Sequence, residues 1–198
     1  MKRNAHVKIG TKDFDEFVKE VQAFHGNIAP GVIAGGIMVD LAMKQLPPGI
    51  LFDAVCETGH CLPDAVQLLT PCTMGNGWLK VVETGRFAVA LYDKYTGEGM
   101  RVFLDAAKLR DFPEIRAWFL REKRKEDQDM GMLLDELRRA GGGIFTISPV
   151  RMSPAFLEGK KRKKSPIRIC AACGEAYSAS LGNPCPACRG EGPYVVEH

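Results

Sequence analysis

The sequence predicts an α+β fold, an antiparallel sheet with packed helices, followed by a small C-terminal four-cysteine zinc finger. Three observations carry that expectation: apolar residues at helical spacing near the start, three β-rich runs separated by glycine turns between residues 78 and 104, and two Cys-x-x-Cys pairs near the end. With 45% hydrophobic and 26% charged content over 198 residues, the composition is that of a folded globular chain and excludes disordered, collagen-like and rod-like classes.

Phe14, Phe17, Val18, Val21 and Phe24 form one face of a helix, with Asp13 and Glu16 in capping-box relation at its start. Gly26, Pro30 and Gly31 predict a loop after it, with backbone free to approach a ligand. Val32 to Gln45 is almost wholly apolar and predicts a buried helix, whose Ala34, Gly35 and Gly36 permit close packing. Pro47-Pro48-Gly49 ends it. Leu51 to Glu57 reads as a strand, and Pro63 to Leu69 as a short helix with proline in its first turn. Trp78–Glu83, Phe87–Asp93 and Gly99–Leu104, joined by turns containing Gly85 and Gly97, predict an antiparallel meander. Two helices, Phe112–Lys125 and Asp127–Ala140, and an edge strand over Ile144–Val150 complete a core domain assigned to residues 1–157.

Charge divides the chain at Gly159. From there to His198 seven basic residues face three acids, a net +4, leaving −1 for the first 158 residues. The excess sits in Lys160-Lys161-Arg162-Lys163-Lys164, within a basic linker over 158–167, where mutual repulsion favours an extended solvated chain and attraction to nucleic acid is the alternative reading. Tyr177 and Tyr194 are the only aromatic residues of that tail, so stacking platforms for single strands are few. No stretch approaches the roughly 20 apolar residues that span a bilayer, and the Met-Lys-Arg start runs into acids rather than an apolar signal core. A cytoplasmic location without membrane attachment is the expectation.

Cys170, Cys173, Cys185 and Cys188, in a finger domain over 168–198, form two knuckles that present four thiolates. Reduced compartments favour metal over disulfide for this spacing, and one structural zinc per chain is expected, ahead of a redox dithiol or an iron centre. Four thiolates leave no open position for water, so the finger is a structural element.

In the core, Cys56 lies in an apolar strand and reads as a small buried hydrophobe, whereas Cys61 and Cys72 sit beside Gly, Pro, Thr and Asp. Cys61 precedes a helix start, where backbone amides lower a thiol's pKa. His25 either caps the first helix or joins a site. His25, Asn27, His60, Cys61, Asp64, Gln67, Cys72 and Thr73 are the candidate pocket residues, expected to line one concavity.

Phe24-His25-Gly26-x-x-x-Pro30-Gly31, Glu57-Thr58-x-x-Cys61-x-x-Asp64-Ala65-Val66-Gln67, Cys72-Thr73-x-Gly75-x-Gly77 and Tyr92-x-x-x-Thr96-Gly97-x-Gly99 resemble the FmdE family of formylmethanofuran dehydrogenase components over roughly residues 12 to 155. The terminal knuckles resemble the zinc finger that some members append. The resemblance implies an α+β core that dimerises, a pocket built from these loops, and an accessory role beside an oxidoreductase complex that reduces carbon dioxide onto methanofuran at a molybdenum or tungsten centre in its other components. Two departures stand out: Asn27 and Ala29 replace a His and a Cys of the family's first loop, and Gly75-Asn76-Gly77-Trp78 lacks the lysine of its glycine loop. A second metal in the core, held by His25, Cys61 and Cys72, remains a candidate because His60 supplies an extra imidazole.

The leading reading is thus an accessory or regulatory protein, homodimeric, that binds a metal or small ligand in its core and a partner through its finger. The enzyme alternative makes Cys61 the thiolate, with His25 and Asp64 in acid-base or orienting roles and Cys72 as a second thiol. A nucleic-acid-binding regulator acting through the finger and Lys160–Lys164 is the third class.

Overall fold

Asp13 opens the first helix as its spacing predicts. In the computed structural model, which describes residues 7–159 and 165–194, a two-residue hairpin, β1 (Lys8–Ile9) and β2 (Lys12–Asp13), leads into helix α1 (Phe14–His25). The Asp13 carboxylate accepts from Glu16 N at 2.9 Å, and Glu16 accepts from Asp13 N at 3.0 Å, a complete capping box. Gly26, at φ 85°, closes the helix in the left-handed region.

Helix α2 spans Pro30–Met43, so Pro30 and Gly31 lie inside its first turn rather than in the preceding loop. Proline there forfeits no hydrogen bond that the helix needs. Every residue from Pro30 to Asp40 is buried. Its glycines let neighbours approach: a Cβ on Gly36 would lie 2.3 Å from the Phe17 ring, and one on Gly35 2.8 Å from Ala65 Cβ. The apolarity of α2 is satisfied within this one chain by α1, the sheet and helix α3 (Leu62–Leu69), and so does not itself call for a second copy.

The sheet contains β3 (Phe52–Cys56), β4 (Leu79–Val81), β5 (Ala88–Asp93), β6 (Glu98–Leu104) and β7 (Phe145–Arg151), in spatial order β4-β3-β5-β6-β7. Pairing is antiparallel except at one edge, where β4 runs parallel to β3 with Val55 opposite Lys80. The three-strand meander is therefore corrected. Its first run does not pair with its second; it crosses over through α3 and lands on the far side of β3, as a parallel connection requires. Gly99 pairs with Tyr92, and a Cβ there would lie 2.1 Å from Leu91 O, so only glycine fits.

The two predicted helices after β6 are shorter than expected, α4 (Pro113–Phe119) and α5 (Met130–Ala140). The buried Glu136 of α5 accepts from Glu114 N and Ile115 N, both at 3.0 Å, and so satisfies the open amides of α4. The predicted edge strand is β7.

Two compact units divide between Ser153 and Pro154. The second contains helix α6 (Pro154–Gly159) and a hairpin of β8 (Ile167–Ile169) and β9 (Ala176–Ser178). The cation run Lys160–Lys164 lies outside the described residues. No helix among the described residues is long and apolar enough to cross a membrane.

Candidate functional site

The finger's metal site is built from local geometry. The amide of Gly174, at φ 77°, donates to Cys170 O at 2.8 Å and folds the first knuckle; Arg189 N, bonded to Cys185 O at 3.2 Å, folds the second. All four sulfurs lie within 4.8 Å of one another, with Cys170 to Cys188 at 3.9 Å and Cys173 to Cys185 at 3.8 Å. Tetrahedral zinc with Zn–S bonds of ~2.3 Å has sulfur–sulfur edges of about 3.8 Å, so the donor set fits the ion in both softness and size. Backbone amides from Cys185, Cys173 and Ala172 draw the Cys170 thiol down to about 6, while contacts to Cys185 and Cys173 push Cys188 up to about 12. Four sulfurs so placed cannot all ionise without a cation among them.

Among the described residues this is the only group of three or more His, Cys, Asp or Glu side chains close enough to hold a metal. His25, Cys61 and Cys72 do not assemble, and a second metal in the core has no support. Cys72 is fully buried, and its thiol donates to Phe52 O of β3 at 3.5 Å.

His25 and Asp64 do meet. Nδ1 of His25 lies 2.6 Å from Oδ2 of Asp64, joining the end of α1 to the first turn of α3. Asn27 is exposed. The Thr70–Gly77 loop is held by its own groups: Thr73 N donates to Asn76 Oδ1 and Asn76 N to Thr73 Oγ1, both at 3.0 Å, and Met74 N donates to Gln67 Oε1 at 3.3 Å. Oε1 of Gln67 and Oγ1 of Thr73 are thereby engaged in shaping a turn.

Cys61 occupies the N-cap position of α3 at φ 62°, a conformation unusual for a side chain larger than glycine's, and its thiol makes no capping hydrogen bond. A Cβ on Gly31 would lie 2.7 Å from its sulfur, so α2 is seated directly against it. Burial pushes the Cys61 thiol up, and the nearby Asp64 carboxylate pushes it further. The expected lowering by helix amides is outweighed: burial first, and then the Asp64 carboxylate in that first turn, both oppose a thiolate.

A cleft of the core, about 580 Å³, has His60 and Cys61 in its wall and otherwise residues that sequence reasoning missed. Arg86, Arg101 and Arg121 line it, with an aromatic side of Phe87, Trp118 and Phe119 whose ring centroids lie 6.1 to 6.2 Å apart. Behind this wall the buried Glu57 binds Arg101 Nε through Oε1 at 2.5 Å and Arg86 Nε through Oε2 at 2.7 Å, and accepts from Thr84 Oγ1 at 3.1 Å. Burial alone would raise its pKa, but Arg101, Thr84 and Arg86 outweigh that and hold the carboxyl below its usual range. The signal available in sequence was Glu57 ending an apolar strand, since a buried acid requires cations, and Arg101 stands in a strand beside Val102.

Comparison with known proteins agrees with this architecture. Residues 24–152 match the family described as FmdE, molybdenum formylmethanofuran dehydrogenase operon, and residues 161–195 match the FmdE treble clef zinc finger. A crystal structure of a tungsten formylmethanofuran dehydrogenase FmdE-like protein from Syntrophus aciditrophicus is 52% identical, covers 96% of this chain and 100% of its own, and superposes with a TM-score of 0.88. A probable S-adenosyl-L-methionine-binding protein from Archaeoglobus fulgidus is 29% identical over 175 residues, 79% of this chain. The chain spans about half the length of that curated relative, 47%. The match over most of the core, repeated in the finger, shows that the chain belongs to the FmdE family and carries that family's treble clef zinc finger.

Proposed function

We propose that the chain is a non-catalytic accessory protein whose core binds a small molecule in the cleft beside Cys61, and whose finger docks a partner protein. One observation carries the reading: the only cysteine lining the cleft is half-buried beside Asp64, burial and that carboxylate both push its thiol up, and it makes no hydrogen bond to His25 or His60 among the described residues. A nucleophilic thiol is favoured by a hydrogen-bonded base or a depressed pKa, and Cys61 shows neither among the described residues. The cleft volume is ordinary for a ligand site. For the finger, zinc supplies the fold, and Ile167 and Ile169 on β8 stand outward at 71% and 70% exposure, an apolar strip suited to a protein surface. Homodimerisation belongs to this reading through the family resemblance, and light scattering at micromolar concentration tests it.

Alkylation of the zinc-loaded protein by iodoacetamide, followed across pH by peptide mass mapping at Cys61, tests the central claim. The expected result is slower modification than free cysteine at pH 7 and a midpoint above that of free cysteine. A Cys61 midpoint below about 7.5 makes the chain a thiol enzyme instead. S-adenosyl-L-methionine, the ligand in the Archaeoglobus relative's description, belongs among the probes for the cleft.

A further inference from the structure

We infer that the cleft selects a planar aromatic molecule bearing an oxyanion, a carboxylate or a phosphate ester, with the ring on the Trp118 side and the charge on the arginines. The inference rests on the ligand-binding reading and names its chemical class.

Three independent features point there. First, the lining holds three arginines and no Asp or Glu. Glu57 lies behind the wall and neutralises one of the three charges, which leaves a surplus of two positive charges facing a cleft whose apolar side strengthens them.

Second, the arginines are held by the edge that leaves their forks open. Glu57 engages Arg101 through Nε and Nη2, at 2.5 and 3.1 Å, and Arg86 through Nε. Among the described residues no hydrogen bond uses Nη1 of Arg101 or either Nη of Arg86, so these donors stand ready for an oxyanion without first releasing a partner. A carboxylate that fixes two guanidinium planes removes much of the rotamer entropy that binding would otherwise cost. Arg101 is further located by stacking over the Phe103 ring at 5.0 Å.

Third, the same lining holds a cluster of edge-to-face rings rather than isolated apolar residues. Phe87 meets Trp118 at 88° and Phe119 at 69°, which leaves ring surface for a further aromatic group. A simple inorganic anion would not use that surface, and a neutral aromatic would leave the guanidinium forks unpaired.

The test uses the full zinc-loaded chain with Trp78→Phe, so that tryptophan emission reports Trp118 alone, titrated with phenylacetate, phenyl phosphate and phenylacetamide. Both anions are expected to change the emission saturably and to bind at least ten-fold more tightly than the amide, with affinity falling as salt rises; the tighter anion names the oxyanion. Arg86→Gln, at a side chain 63% exposed, is expected to weaken the anions about ten-fold and leave the amide unchanged. Arg121→Asn, which removes a charge while suiting that residue's φ of 57°, is a second variant with the same expectation. Equal binding of amide and anions overturns the inference while the ligand-binding reading stands. No saturable response to any of the three probes overturns it too, and the Cys61 titration then still decides separately between accessory and enzyme.

Discussion

Around α2 every side chain from Pro30 to Asp40 is buried, whereas in the unit that begins at Pro154 the buried side chains among the described residues are Cys170 and Cys185. One unit is held by excluded apolar surface, spread over dozens of contacts, and the other by four sulfurs. Stability of the first kind is divisible: each substitution removes a share. Stability of the second kind is conditional on a single ion, and the two should therefore fail independently and in different ways.

The largest expected effect is on the finger alone. Cys170→Ser, or chelation of zinc, should unfold the second unit, since structural zinc in such sites contributes ~10–16 kcal/mol, and should leave the core's melting temperature within about 2 °C of its starting value. Metal analysis with calorimetry checks it; full zinc retention by Cys170→Ser would contradict the four-sulfur assignment. Next comes the core. Gly99→Ala forces a methyl against the Leu91 carbonyl and should cost about 3 kcal/mol in denaturant unfolding, with the zinc content unchanged.

Acid sharpens the contrast. Glu57 has a folded pKa below its unfolded one, so its contribution is complete above roughly pH 4.3 and is lost as pH falls through the folded value. Zinc thiolates compete with protons at higher pH than a carboxylate does, so on acid titration the metal should leave before the core loosens. Circular dichroism alongside a zinc dye would read both transitions, and core unfolding ahead of zinc release would refute the order. The smallest effect is Asp13→Ala, which loses the capping box and should cost ~1 kcal/mol of core stability without touching the finger.

Features legible in the sequence were those whose cause is local. Asp13 and Glu16 lie three apart, and the knuckle cysteines likewise, so spacing alone carried both. The partner of the 79–81 strand was not local: Gly85 advertises a hairpin to Phe87–Asp93, but the crossover through α3 places that strand beside β3 instead. The cleft escaped for the same reason. Arg86, Arg101 and Trp118 come from a turn, a strand and a helix, and nothing in their own neighbourhoods marks them as one surface. Conversely, the polar loop of Thr70–Gly77 looked like a site because turn chemistry and ligand chemistry use the same residues.

The carboxylate of Glu136 on the α4 amides has a consequence for how this cleft can diversify. A helix of seven residues has little stability of its own, so the tilt of α4, and with it the plane of Trp118 and Phe119, is inherited from α5. On the proposed reading, ligand selectivity in this chain would have a second set of dials, on a helix that contributes no side chain to the cleft wall. Were the cleft to bind as proposed, two chains with identical lining residues need not prefer the same molecule, and drift along 130–140 is where such a divergence would be written.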